Sequence, residues 1–157
     1  MRILGAAILA FAVVTPAIGE AVTVRSAEPF VALRDDAGNE VLRRADTFPL
    51  VPLHVCYGWR IRLSGAGKLV KATEVFELPA PPQEWKGVEG DQFSPTTLSP
   101  NRQTSTTSKF YTPQDGWITN QWCVAPGDPA GRYVIKVYIG DLLLKEFDFT
   151  AQTARAQ

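Results

Sequence analysis

Histidine and methionine occur once each in the 157 residues, cysteine occurs twice, and basic and acidic side chains number 16 each. Each scarcity excludes a chemistry. The methionine is Met1, so a blue copper centre, which needs a second histidine and commonly a methionine, has no ligand set. His54 and Cys56 stand two apart on a strand and share a face, but one imidazole beside one cysteine is more often an ordinary side chain than a metal site. With His54 alone, a Ser-His-Asp arrangement would have to come from scattered residues, and no Gly-x-Ser-x-Gly is present. Gly65-Ala66-Gly67-Lys68 misses the phosphate-loop spacing, because Arg62 stands where the first glycine is required and Leu69 follows the lysine. Balanced charge provides no basic surplus for nucleic acid or an anionic membrane surface, the basic clusters being only Arg43-Arg44 and Arg60 with Arg62. No cofactor motif is present.

Long apolar runs are also missing, apart from the first segment. Met1-Arg2 is followed by apolar residues from Ile3 to Val14 and then Thr15-Pro16-Ala17-Ile18-Gly19, the order of a secretory signal peptide. That run is too short for a helix across ~30 Å of hydrocarbon, and no later segment is apolar enough, so the mature chain is expected to have no membrane span. Cleavage is placed after Gly19, with Ala17 and Ala21 as alternatives. Loss of residues 1–19 leaves about 138, enough for one hydrophobic core. The expected organisation is a leader at 1–19, one domain at 20–150 and a frayed tail at 151–157. Cys56 and Cys123 both lie in the exported part, where an even pair is most simply a disulfide. It would close a loop of about 68 residues, worth roughly 4 kcal/mol by chain entropy. A redox-active thiol pair would favour closer spacing, such as Cys-x-x-Cys.

What remains reads as strands. From His54 to Leu63 the odd positions Val55, Tyr57, Trp59, Ile61 and Leu63 are large and apolar, which predicts a half-buried strand with those residues inward. Ser64-Gly65-Ala66-Gly67 supplies turn residues, and Lys68 to Leu78 reads as a returning strand with Val70, Ala72, Phe76 and Leu78 on one face, so the two are expected to form a hairpin. Prolines at 79, 81 and 82 end that strand, and a polar stretch over 83–108 is expected to be a long loop. Further strands are expected at Phe110-Tyr111, Trp117 to Val124, Tyr133 to Ile139 and Leu142 to Phe149.

The last two strands pose a register problem. A strict two-residue turn at Gly140-Asp141 would set Ile135 opposite Glu146 and Tyr133 opposite Asp148, turning two carboxylates into the core and leaving Phe147 and Phe149 outside. Burying unpaired carboxylates costs several kcal/mol, so a bulge between Leu142 and Glu146, or a looser turn, is expected to return the phenylalanines to the interior. No repeat is found, and no segment combines helical period with caps. About seven or eight short strands in this length predict an all-β, immunoglobulin-like β-sandwich.

The C-terminal block from Trp122, through Pro126-Gly127, the alternating strand from Tyr133 and the Gly140-Asp141 turn, to Phe147-Asp148-Phe149, resembles the last hairpin of bacterial exported immunoglobulin-like domains. With the Tyr57-Gly58 strand added, residues 45–150 resemble an uncharacterised family of such exported proteins, a domain of unknown function. The chain departs from that pattern at Leu78-Pro79, where a His-Pro pair is expected, and in having two cysteines. The resemblance implies a fold and a compartment, periplasmic or secreted, and no activity.

Two uses of such a domain are open. One is protein–protein contact with an envelope or extracellular partner, through a sheet edge or the 83–108 loop. The other is binding of a small ligand or glycan by tryptophans outside the core. Trp59 and Trp122 have core parity, whereas Trp117 falls on the opposite face and Trp85 in a polar loop, so Trp85 and Trp117 are the candidate ligand-binding residues. For Trp85 a lid folded back over the sandwich is an equal alternative. Glu84, Glu89 and Asp91 form the most enzyme-like grouping, but solvated loop charges account for them as well, and no catalytic residue is assigned.

Overall fold

The computed structural model describes residues 21–35, 37–85 and 93–154, so the expected leader at 1–19 lies outside the described residues. Among the described residues there are ten strands and no helix: β1 (Thr23–Arg34), β2 (Glu40–Arg43), β3 (Thr47–Leu50), β4 (Val55–Ser64), β5 (Val70–Glu77), β6 (Thr96–Leu98), β7 (Thr104–Tyr111), β8 (Trp117–Cys123), β9 (Gly131–Ile139) and β10 (Leu142–Thr153). They form a four-stranded sheet, β2-β1-β4-β8, and a six-stranded sheet, β3-β10-β9-β5-β7-β6. Every pairing is antiparallel except β3 with β10. The inner faces of the two sheets enclose one core around Trp59, Ile61, Tyr133, Ile135, Val137 and Phe149.

Central strand β4 shows why alternation fixes this architecture. Val55, Tyr57, Trp59, Ile61 and Leu63 are all buried, as their spacing requires, and the Tyr57 ring stacks on Phe48 of the opposite sheet with centroids 4.1 Å apart. Val70, Ala72, Phe76 and Leu78 are buried as expected too. The expected hairpin between the two strands is not formed: β4 pairs with β1 and β8, and β5 pairs with β7 and β9. Both apolar faces are satisfied by facing each other across the core, and residues 65–69 cross between sheets, which pack ~10 Å apart.

The final hairpin resolves its conflict with a bulge. Ile139 does pair with Leu142 across Gly140-Asp141, and the register then shifts between Leu143 and Lys145. Phe147 and Phe149 are thereby buried opposite Ile135 and Tyr133, while Glu146 and Asp148 stay exposed. Two boundaries are corrected. β10 continues to Thr153 with Ala151 buried beside β3, so residues 151–153 are not a frayed tail. β6 and the first part of β7 lie within the stretch expected to be a loop. Their threonine-rich segments suit a pleated surface without apolar contrast, and the Thr96 and Thr107 hydroxyls hydrogen-bond across the pair at 2.7 Å.

Candidate functional site

β8 is the edge of the four-stranded sheet, and it is held from both sides by different chemistry. On the outer face, Cys56 of β4 and Cys123 of β8 stand directly opposite each other and are joined by a disulfide. The pairing matches the sequence expectation. It links neighbours within one sheet, whereas the bridge of antibody domains spans the two sheets. Next to it Gly58 permits a close approach: a Cβ there would overlap the Asn120 carbonyl oxygen and lie 2.9 Å from the Phe30 ring.

On the inner face the fastening is a buried carboxylate. The alternation of β5 that turns Ala72 and Phe76 inward also turns Glu74 inward, where it is 4% exposed. The Trp59 indole N–H donates to its Oε2, Asn120 Nδ2 donates to the same oxygen at 3.1 Å, and Trp122 Nε1 donates to Oε1 at 2.8 Å. Glu74 belongs to the six-stranded sheet and its three donors to the other, so this cluster bridges the sandwich. Burial pushes the carboxyl pKa above its ordinary value; the hydrogen bonds from Trp59, Asn120 and Trp122, and then the nearby charge of Lys109, oppose that rise. Reading β5 by hydropathy alone passes over Glu74, although parity was the signal that could have found it.

Outside this cluster, a cleft of about 160 Å³ opens between β8 and the β6–β7 pair, lined by Ser94, Thr96, Thr107, Lys109, Asn120, Gln121 and Trp122. A larger hollow of about 460 Å³ lies elsewhere, beside Val22, Leu69, Lys71 and Ile139, where the Thr73 and Ser108 hydroxyls are hydrogen-bonded to each other at 2.9 Å. The chemistry is concentrated at the smaller cleft.

The tryptophans singled out by sequence are not brought together. Trp85 is buried between the sheets, edge-on to Phe76 and Trp122, and its indole N–H donates to the Arg102 carbonyl at 2.7 Å. Trp117 is half-buried on the outer face under the Arg60 guanidinium, 5.1 Å from the ring centroid, and Arg60 is itself paired to Glu28 at 2.9 Å. Trp59 is fully buried and Trp122 half-buried. Glu84 is exposed, and Glu89 and Asp91 lie outside the described residues. His54 is exposed, with Nδ1 3.3 Å from the Arg34 carbonyl oxygen. Among the described residues no group of three or more His, Cys, Asp or Glu side chains could hold a metal, and no helix is long and apolar enough to cross a membrane.

The backbone of β8 carries the remaining feature. The Val124 N–H donates to the Val55 carbonyl, so alternation points the N–H and C=O groups of Trp122, Asn120 and Ile118 at β4 and those of Thr119, Gln121 and Cys123 away from it. Among the described residues nothing hydrogen-bonds to those outward groups.

Residues 28–152 match the family model for the PM0630 beta sandwich domain. No curated protein matches the sequence. Among solved structures, the chain is similar to an immunoglobulin-like protein from Pseudomonas aeruginosa, at 14% identity and a TM-score of 0.58, over 87% of this chain and 100% of that one. At that identity the likeness is one of fold, an immunoglobulin-like β-sandwich.

Proposed function

The chain belongs to the PM0630 beta sandwich domain family, and from that premise we propose that it works outside the cytosol as a non-catalytic contact module, binding an extended segment of an envelope or extracellular protein along the β8 edge. The character of that edge carries the reading. Exposed sheet edges are usually kept short, charged, bulged or interrupted by proline, because an open ladder recruits other strands. The other edges here follow that rule. β2, β3 and β6 have four, four and three residues, β2 carries Glu40 and Arg43, and β3 contains Pro49. The part of β1 beyond β2 has Pro29 and a bulge between Val24 and Ser26. β8 runs seven residues with no charge, no proline and no register shift. Strand addition to such an edge is a recurring mode of peptide recognition, with main-chain bonds giving affinity and alternate side chains giving selectivity.

A cysteine bridge supports an oxidising compartment, in keeping with the expected leader at 1–19. For the alternative, a small-ligand or glycan module, Trp85 lines a hollow of about 60 Å³ with Glu84 and Trp122 while Trp117 faces outward beneath Arg60, so the two rings do not share one platform. The test is Gln121→Pro, which removes an N–H that serves no ladder bond. Affinity capture from the native host's envelope with the wild type should retain a partner that the variant loses by at least tenfold. A partner held equally by both proteins contradicts the edge reading.

A further inference from the structure

We propose that the segment received by β8 carries an aspartate or glutamate whose carboxylate enters the cleft beside β8 and pairs with Lys109; this rests on the edge reading above. A strand added to β8 shares its faces, so a side chain opposite Asn120 or Trp122 points between the sheets, over the cleft. The far wall belongs to β6 and β7. Lys109 lies opposite Ala72 in the β5–β7 ladder and therefore faces inward with it. Two of the hydroxyls on that wall are already engaged: those of Thr96 and Thr107 bond to each other, and Thr96 also donates to the Ser94 carbonyl at 3.3 Å. Beyond its position over the Tyr111 ring, the Lys109 ammonium has no hydrogen bond or ion pair among the described residues. It lies 5.6 Å from the Tyr111 ring centroid, and among the described residues no carboxylate comes within 4.0 Å of it.

Glu74 attracts Lys109 from behind, but both its oxygens are covered by N–H donors from the opposite sheet. The cleft thus presents a half-buried cation with three unused donors, and a carboxylate is the side chain that matches it. Symmetric pairing with the β8 of a second copy does not supply one, because β8 reads Trp-Ile-Thr-Asn-Gln-Trp-Cys. The occupant proposed is an extended acidic segment of another protein, and self-association is an outcome of the test.

Selection of displayed random heptapeptides on the disulfide-bonded mature chain tests this. Enriched sequences should share one acidic position within an alternating strand pattern. Replacing that Glu or Asp by Gln or Asn in the peptide should weaken binding to the wild type about tenfold, in the range of partly desolvated charge pairs. The same exchange should have no effect on Lys109→Met, and Lys109→Glu should turn the preference to Lys or Arg. The peptide exchange on unaltered protein keeps the test valid if either variant folds poorly. Three results overturn the proposal. Enriched peptides without an acidic preference, but still lost by Gln121→Pro, reject the Lys109 pairing and leave the edge reading standing. Peptides indifferent to Gln121→Pro, or none enriched at all, reject both. A dimer of the isolated chain that Gln121→Pro dissociates assigns the edge to a second copy instead.

Discussion

The two faces of β8 are fastened in opposite ways. The outer tie is a covalent bond to the neighbouring strand of the same sheet, and the inner tie is a carboxylate held by three N–H groups across the sandwich. The covalent tie answers to redox potential and the polar one to pH and to the completeness of its donor set. An edge strand that is to receive a partner must keep its own register, and here each tie fixes a different part of it: Cys123 at one end, Asn120 and Trp122 along the inner face. The outer tie holds β8 to its own sheet, and the inner tie holds that sheet to the other.

The largest effect is expected from the inner tie. Glu74→Ala leaves two indole N–H groups and an amide without their acceptor, at about 1–3 kcal/mol for each buried donor that water cannot reach, so a total loss near 3–5 kcal/mol is expected in urea unfolding. A loss under 1 kcal/mol would mean that water replaces the carboxylate and that the tie is weak. Removing the outer tie by Cys56→Ala with Cys123→Ala should cost about 2–4 kcal/mol, mainly by releasing the unfolded chain. Comparing the three proteins with the combined variant sharpens the contrast. Both ties act on one strand, so a coupling of about 0.5–3 kcal/mol is expected, and strict additivity would show that they act independently.

A smaller effect separates the ties by pH. Burial raises the Glu74 pKa in the folded state above its ordinary value of 4.5, so the folded chain binds this proton more tightly than the unfolded one. The stability linked to this proton is therefore complete below about pH 4.5 and is lost as pH rises through the folded pKa, while the three hydrogen bonds to the carboxylate remain. The stability difference between wild type and Glu74→Gln should shift against the wild type over that interval and then level off, whereas the difference between wild type and the cysteine variant should not follow it. Denaturation midpoints at a series of pH values read both. Smallest of all, Ser105 Oγ is the one buried side-chain polar atom among the described residues without a hydrogen bond, and Ser105→Ala should be neutral or stabilising by up to about 1 kcal/mol in the same assay.

Alternation made much of this fold legible from sequence. It assigned the inner faces of β4 and β5, and the cost of burying Glu146 and Asp148 was enough to demand the bulge that the β9–β10 pair contains. Period two tells which face a residue takes but not which strand lies beside it, and so β4 and β5 read as a hairpin although they face each other across the core. β6 and β7 were invisible because threonine and serine alternate with more of themselves. The cysteine pair was legible as a bond, though not as one confined to a single sheet. Glu74 escaped because a charge on an apolar face looks like an interruption until three donors are seen to converge on it. Trp85 stands among polar residues in sequence, and only the fold brings Phe76 and Trp122 against its ring.

The free edge itself can be read directly by residue-resolved amide hydrogen exchange on β8. In the isolated chain, Ile118, Asn120 and Trp122 should be protected by their bonds to β4, while Thr119, Gln121 and Cys123 exchange rapidly; a selected strand peptide should then protect the second set. Protection of all six amides in the isolated chain, or no gain at Thr119, Gln121 and Cys123 when the peptide binds, would contradict β8 as the receiving edge.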